Sequence, residues 1–383
     1  MGLATTTIHT VKLFCAIICI ACRLTVAVSS HVDSSSSSPS AQSPIIPAVP
    51  SIQLRNGVQM PAMSLGTAHV VLDENTHGDF KGFVPERAYR QVQLALEQGI
   101  RSFDTARIYR THKQLAHVLG EWFRLGLLKR DDIFLTTKVF HSNAERVGTR
   151  RTHMYNMNEI TPHQVTEQVR KELEEALDDL GVGQIDLVLL HWPSSGRGAT
   201  LGKDCDDGDT QQGAFTSNIH RQRRLAAWKV LEEFYQKGWL RAIGVSNFSE
   251  IHLEQLREDG AIITPMVNQI ETNLSVMHPN INTYCKAHNI VCQAFSPLRR
   301  GKMEEMPSVA SIALKYNKSQ AQVALRFLYQ YGYAITFLST NVDRMIENHD
   351  IFDFELSQEE MDALSALPSP DGSWGLPSPY DLE

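Results

Sequence analysis

Four residues whose types belong to one piece of redox chemistry occur in order along the chain. They are Asp104 and Tyr109 in GIRSFDTARIYR, Lys138 in IFLTTKVF and His191 in IDLVLLHWP. A phenol ordinarily titrates at about 10, too high for ready proton donation at neutral pH. An adjacent ammonium favours the phenolate and lowers that value, and a carboxylate can hold the ammonium in place. A neutral imidazole beside them can orient a carbonyl oxygen. Together the four describe a proton donor for a carbonyl that is accepting a hydride. Singly, each has a plain structural alternative: Asp104 as a helix cap, Lys138 in a buried salt bridge, His191 as a hydrogen-bonded rim residue. Their joint occurrence in this order favours the chemistry.

Such groups need rigid supports, and the surrounding pattern supplies them. IDLVLLH is apolar throughout, as a strand buried on both faces should be. The helix-like PERAYRQVQLALEQG precedes the strand RSFDTA. Thr161-Pro162-His163-Gln164 reads as a capping box with proline at the first helical position. The helix it opens places Val165, Val169, Leu173, Leu177 and Leu180 on one face and can stop at Gly181. AAWKVLEEFYQKG precedes the strand RAIGVS, and a helix capped by Ser319 and Gln322 runs to Gly332 before YAITFLS. Asn56-Gly57 in IQLRNGVQM marks a β-hairpin.

These units predict an α/β fold, a closed (β/α)₈ TIM barrel with an N-terminal β-hairpin at the barrel bottom. The rival, an open doubly wound sheet, normally carries a glycine-rich phosphate loop, and neither GxGxxG nor GxxxxGK[ST] occurs. In a parallel barrel functional groups gather at the C-terminal ends of strands, where Asp104, Lys138 and His191 fall.

The chain has 383 residues, 42% of them hydrophobic and 21% charged, with a formal net charge of −7. That is ample for one large core. An acidic chain lacks the clustered Lys and Arg of a broad phosphate-binding face, so nucleic acid is not an expected partner. Arg221, Arg223 and Arg224 read as a solvated helix face. Cys15, Cys19 and Cys22 lie in an N-terminal apolar run, while Cys205, Cys285 and Cys292 lack metal-type spacing. Neither a disulfide framework nor a metal site is expected, and Cys285 and Cys292 read as small core residues.

LFCAIICIAC at 13–22, flanked by Lys12 and Arg23, is too short to span a bilayer and fits the apolar core of a signal peptide. Extending it to Val28 would place Arg23 in the membrane at a cost of about 2.5–3.5 kcal/mol. Residues 1–28 are therefore read as a targeting leader to the secretory pathway or the exterior, with a plastid-type organelle as the alternative. Membrane contact is expected only through an uncleaved leader. A myristoylation pattern at Met1-Gly2 with Thr6 is set aside because the apolar segment follows so closely. Residues 29–50, rich in Ser and Pro, read as a linker, and 51–383 as the barrel domain.

LRAIGVSNF at 240–248, PMVNQIETNL at 265–274 and AFSPL at 294–298, added to the four residues above, resemble the aldo-keto reductase family. DIFDFELSQEEMDAL resembles its closing segment. The family consists of NAD(P)H-dependent carbonyl reductases on this barrel, and the resemblance covers roughly residues 51–365. It implies that Asp104, Tyr109, Lys138 and His191 form the catalytic tetrad. It further implies a monomer that reduces a small-molecule aldehyde or ketone to an alcohol with NADPH and no metal. His191 argues for carbonyl chemistry, because members that reduce carbon–carbon double bonds carry glutamate there. By the same resemblance Ser246, Asn247 and Gln269 hold the nicotinamide carboxamide, and Gly66 and Thr67 lie beside the cofactor. Phe295 stands for a stacking tyrosine, and Ser296 and Leu298 flank the pyrophosphate. Ser339, Arg344, Glu347 and Asn348 serve the adenine end, and Trp192 is a pocket wall.

The chain departs from the family pattern in places. Leu338 replaces a usual lysine, which removes one positive charge near a 2′-phosphate and leaves room for NADH. Thr111-His112 stands where the family has Asn-Glu. The loop 142–160 is extended and carries Arg146, Arg150 and Arg151, which either favour an anionic substrate or are simply solvated. A further loop, 194–220, contains the acidic CDDGD, and Trp374 could pack over the pocket. Two other functions stay open at this point. One is a cofactor-binding regulatory subunit resembling the β-subunits of potassium channels, the other an NAD-dependent alcohol or sugar dehydrogenase.

Overall fold

Asn56-Gly57 turns the chain as predicted: Gly57 takes φ +89°, a conformation that favours glycine. Leu54 N–H donates to the Val58 carbonyl and Gly57 N–H to the Leu54 carbonyl, each at 2.8 Å. The flanking strands β1 (Ser51–Gln53) and β2 (Gln59–Pro61) pair antiparallel, with Ile52 opposite Met60. The computed structural model describes residues 46–68, 85–140, 161–193, 218–301 and 306–367. The leader, residues 29–45, the loop 142–160, residues 194–217 and Trp374 lie outside the described residues.

Eight parallel strands follow and close on themselves. They are β3 (Met63–Gly66), β4 (Ser102–Asp104), β5 (Phe134–Val139), β6 (Ile185–Leu190), β7 (Leu240–Ser246), β8 (Val267–Glu271), β9 (Val291–Phe295) and β10 (Ala334–Phe337). β10 pairs with β3 to complete the ring. The hairpin sits at the N-terminal ends of these strands, where Asn56 Nδ2 donates to the Arg241 carbonyl near the start of β7 at 2.9 Å. The C-terminal ends are left for function.

Among the described residues the α-helices are α1 (Pro85–Glu97), α2 (His112–Arg124), α3 (Pro162–Leu180), α4 (Asn218–Gln236), α5 (Glu250–Glu258), α6 (Pro279–Ala287), α7 (Pro307–Tyr316), α8 (Gln320–Tyr331), α9 (Val342–His349) and α10 (Gln358–Ser365). Capping boxes start α3 at Thr161 and α8 at Ser319, and Gly181 and Gly332 end them in the left-handed conformation. Val165, Val169, Leu173 and Leu180 are buried against the barrel, and Leu177 is partly buried. β7 and β8 pack so closely that Gly244 has no room for a side chain. A Cβ there would stand 2.5 Å from the Val267 carbonyl oxygen and 2.8 Å from Leu189 Cδ2.

One expectation is corrected. Arg223 and Arg224 are buried on α4 instead of forming a solvated face. Arg224 donates to Gln255 Oε1 at 2.5 Å and to the Pro193 carbonyl at 3.4 Å, so its charge is taken inside with acceptors provided. Arg221 stays partly exposed and binds Asp259. Cys285 and Cys292 are free and buried in the core.

Candidate active site

Strand register brings the four chemical residues together. Asp104 is the last residue of β4, Lys138 the penultimate residue of β5, and His191 the first residue beyond β6. A 3₁₀ turn at Arg107–Tyr109 folds the chain beyond β4 back over the barrel mouth and delivers Tyr109. Lys138 Nζ donates to Asp104 Oδ1 at 2.5 Å and to the Thr105 carbonyl at 3.1 Å. It lies 5.1 Å from the Tyr109 ring centre. Tyr109 and His191 meet edge to face, centroids 6.0 Å apart.

The electrostatics correct one expectation and agree with another. Burial pushes the Tyr109 phenol above its ordinary value; the Lys138 ammonium pulls it down and the Asp104 carboxylate pushes it up. The net direction is upward, because a phenolate loses more from leaving water than the ammonium returns while Asp104 screens it. Burial alone would depress Lys138, but Asp104 and Tyr109 together outweigh it and keep the ammonium charged. Burial, with Lys138 close by, holds His191 well below the ordinary histidine value, so the ring is neutral. Its Nδ1 is buried without a hydrogen-bond partner among the described residues.

The residues expected at the nicotinamide end line the same mouth. Ser246 Oγ donates to the Gln269 carbonyl at 2.8 Å, across the pairing of β7 with β8. Asn247, with φ +64°, donates to the His191 carbonyl at 3.0 Å and to Ser246 Oγ at 3.2 Å. Gln269 Nε2 donates to Asp104 Oδ2 at 2.7 Å and to Gln293 Oε1 at 2.8 Å. With their amide hydrogens so engaged, Asn247 and Gln269 each keep a carbonyl oxygen to accept from an amide –NH₂, which is what a carboxamide offers. Gly66 ends β3, where an added Cβ would stand 3.4 Å from the Phe337 carbonyl oxygen. Buried Thr67 bonds Thr111 Oγ1 at 2.9 Å. Phe295 ends β9 half-buried, followed by Ser296 in a left-handed turn and a half-buried Leu298.

The residues expected at the adenine end lie along α9: Ser339 and Arg344 at its start, Glu347 and Asn348 in its last turn. Asn341 caps that helix by accepting from Arg344 N–H, and Ser339 Oγ donates to the Asn341 carbonyl. Arg344 is exposed in the first turn, where the helix dipole and a guanidinium both favour a phosphate. Leu338 is also exposed, Glu347 half-buried and Asn348 buried. Trp192 is buried and stacks beside His191, centroids 6.0 Å apart.

Four participants carried too weak a signal to be found from sequence. The Thr105 carbonyl is a backbone acceptor and leaves no mark. Gln293, set in the otherwise apolar β9, was the most visible of the four, and it pairs with Gln269 across the β8–β9 register. Phe140 packs on His191 with centroids 4.7 Å apart, and Glu172 accepts from the Phe140 N–H. Among the described residues no group of three His, Cys, Asp or Glu could hold a metal.

A closed barrel with a Tyr–Lys–Asp–His cluster at its C-terminal mouth defines an oxidoreductase of carbonyl type. The aldo/keto reductase family model matches residues 62–368, so the chain belongs to that family. Glyoxal reductase of Bacillus subtilis is 34% identical over 316 residues, covering 82% of this chain and 92% of that one. NADPH-dependent codeinone reductase 1-4 of Papaver somniferum is 32% identical over 333 residues, covering 84% and 90%. An aldo-keto reductase of Bombyx mori, solved in complex with NADP, superposes with a TM-score of 0.64 at 28% identity, covering 84% of this chain and 93% of that one.

Proposed function

We propose that this chain is an NADPH-dependent reductase of aldehydes or ketones, with Tyr109 as the general acid. The observation that carries the reading is the Lys138 ammonium held by Asp104 Oδ1 and set 5.1 Å from the Tyr109 ring centre, beside a neutral His191. The bound dinucleotide would supply the hydride. Tyr109 then hands its proton to the carbonyl oxygen, the Lys138 charge stabilises the phenolate left behind, and His191 orients the same oxygen. Ser246, Asn247 and Gln269 would hold the carboxamide, and Arg344 with Ser339 the adenine-side phosphate. Burial keeps Tyr109 protonated across the physiological range, so the acid is in its working form before reaction.

Replacing Tyr109 with Phe tests the assignment. Turnover of small aldehydes should fall at least about 10²-fold while NADPH binding, followed by fluorescence quenching, is retained. Unchanged turnover would remove Tyr109 from the role. Leu338 leaves only Arg344 of the two expected cations, so NADH should support measurable turnover, and Leu338→Lys should shift the preference back toward NADPH. The enzyme is proposed to act as a monomer in the secretory pathway or exterior. A fluorescent fusion to residues 1–50 that stayed in the cytosol would overturn that address.

A further inference from the structure

One carboxyl group that the tetrad does not use touches both segments that carry it. Glu172 lies on α3 with its side chain 4% exposed. Its Oε2 accepts from the Phe140 backbone N–H at 2.8 Å, and its Oε1 accepts from Gln168 Nε2 at 3.2 Å. Arg107 Nε stands 3.9 Å from Oε1, and the same guanidinium pairs with Glu175. Arg107 opens the 3₁₀ turn that ends on Tyr109. Phe140 lies two residues beyond Lys138 with its ring against His191, and the neighbouring Val139 carbonyl accepts from His191 N–H at 3.0 Å.

We propose that Glu172 is a positioning residue for carbonyl reduction, holding the Tyr109 turn and the Phe140–His191 pair together so that phenol and imidazole meet one carbonyl oxygen. This rests on the reductase reading given above. A space-filling role would be met by an apolar residue, since a buried carboxylate is unfavourable unless its partners justify it. Here the partners are the backbone of one catalytic segment and the cation of the other. Among the described residues, the charged groups facing Glu172 are Arg107 from the turn and Glu175 from its own helix, and the segment just beyond β5 presents the Phe140 amide. Burial raises the carboxyl to about 7, opposed by the Phe140 N–H, Gln168 and Arg107. The ionised form attracts Arg107 and is the stronger acceptor, so its hold tightens as pH rises through that value.

The full chain is compared with Glu172→Gln and Glu172→Ala in NADPH oxidation driven by phenylglyoxal or benzaldehyde, from pH 5.5 to 9. Glutamine keeps an acceptor for Phe140 but no charge for Arg107. At pH 8 its kcat should fall about tenfold, while the aldehyde KM and the NADPH Kd stay within about twofold. The inflection near pH 7 in the wild-type kcat profile should vanish. Alanine should lose more. Should alanine fail to fold, Arg107→Met on the half-exposed partner replaces it, with the same expected loss of kcat. Variants that bind NADPH and keep the wild-type kcat and pH profile overturn the positioning role alone. A wild-type protein that turns over no aldehyde with either NADPH or NADH overturns the reductase reading, and the role falls with it.

Discussion

Gln269 donates through Nε2 to Oδ2 of Asp104 at 2.7 Å, while Lys138 holds the other oxygen of the same carboxylate at 2.5 Å. One buried anion thus links the group that supports the proton donor to a residue proposed to hold the nicotinamide. The two functions share a support, and Gln293 on β9 fixes the far side of Gln269.

Gln269→Leu should therefore damage chemistry as well as cofactor binding. Losing a hydrogen bond to a buried carboxylate is worth about 1.5–3 kcal/mol, or about 10- to 100-fold in kcat/KM. Stopped-flow measurement of a single turnover at saturating NADPH would isolate the chemical part. A defect confined to cofactor affinity would show that the Asp104 contact is idle.

Lys138→Met should leave the Asp104 carboxylate without its cation in the barrel interior. The fold should lose about 3–5 kcal/mol in urea unfolding, and adding Asp104→Asn should restore part of it. Equal stability of the single and double variants would count against a buried charge pair. Neither protein should reduce aldehydes.

Glu172 makes stability depend on pH with a defined sign. Its folded value, raised by burial to about 7, lies above the ordinary carboxyl value of 4.5. The folded state therefore binds the proton more tightly, and this stabilisation, complete below pH 4.5, is lost as pH rises through 7. The loss amounts to about 3 kcal/mol at most. Glu172→Gln should match wild type near pH 5 and exceed its stability near pH 8, read as the urea midpoint. A difference that does not change with pH would show that the carboxyl titrates elsewhere. The position thus trades stability at working pH for a charge near Arg107.

Gly244→Ala should destabilise the barrel by about 1–3 kcal/mol, since its methyl would meet the Val267 backbone, which cannot swing aside as the Leu189 side chain could. Thermal unfolding measures this directly. A neutral outcome would mean that β7 and β8 can separate without loss.

Much of the fold was legible because its signals are local. Capping at Thr161 and Ser319, the stop at Gly181, the Asn56-Gly57 turn and the apolar run of β6 each follow from a few adjacent residues and the helix or strand period. The same holds for the placement of Asp104, Lys138 and His191, since a strand end is visible in the chain itself. Closing the ring decided the rest. It set Gln269 on Asp104 across 165 residues, buried Arg223 and Arg224, and brought Glu172 to the Phe140 amide. It also reversed the expected direction for Tyr109, because burial of the phenol outweighs the pull of the neighbouring ammonium. Residue types and spacing determined which chemistry was available. Contacts between distant segments and exclusion of water have no local signature, and the tertiary structure alone decided how those groups are held and charged.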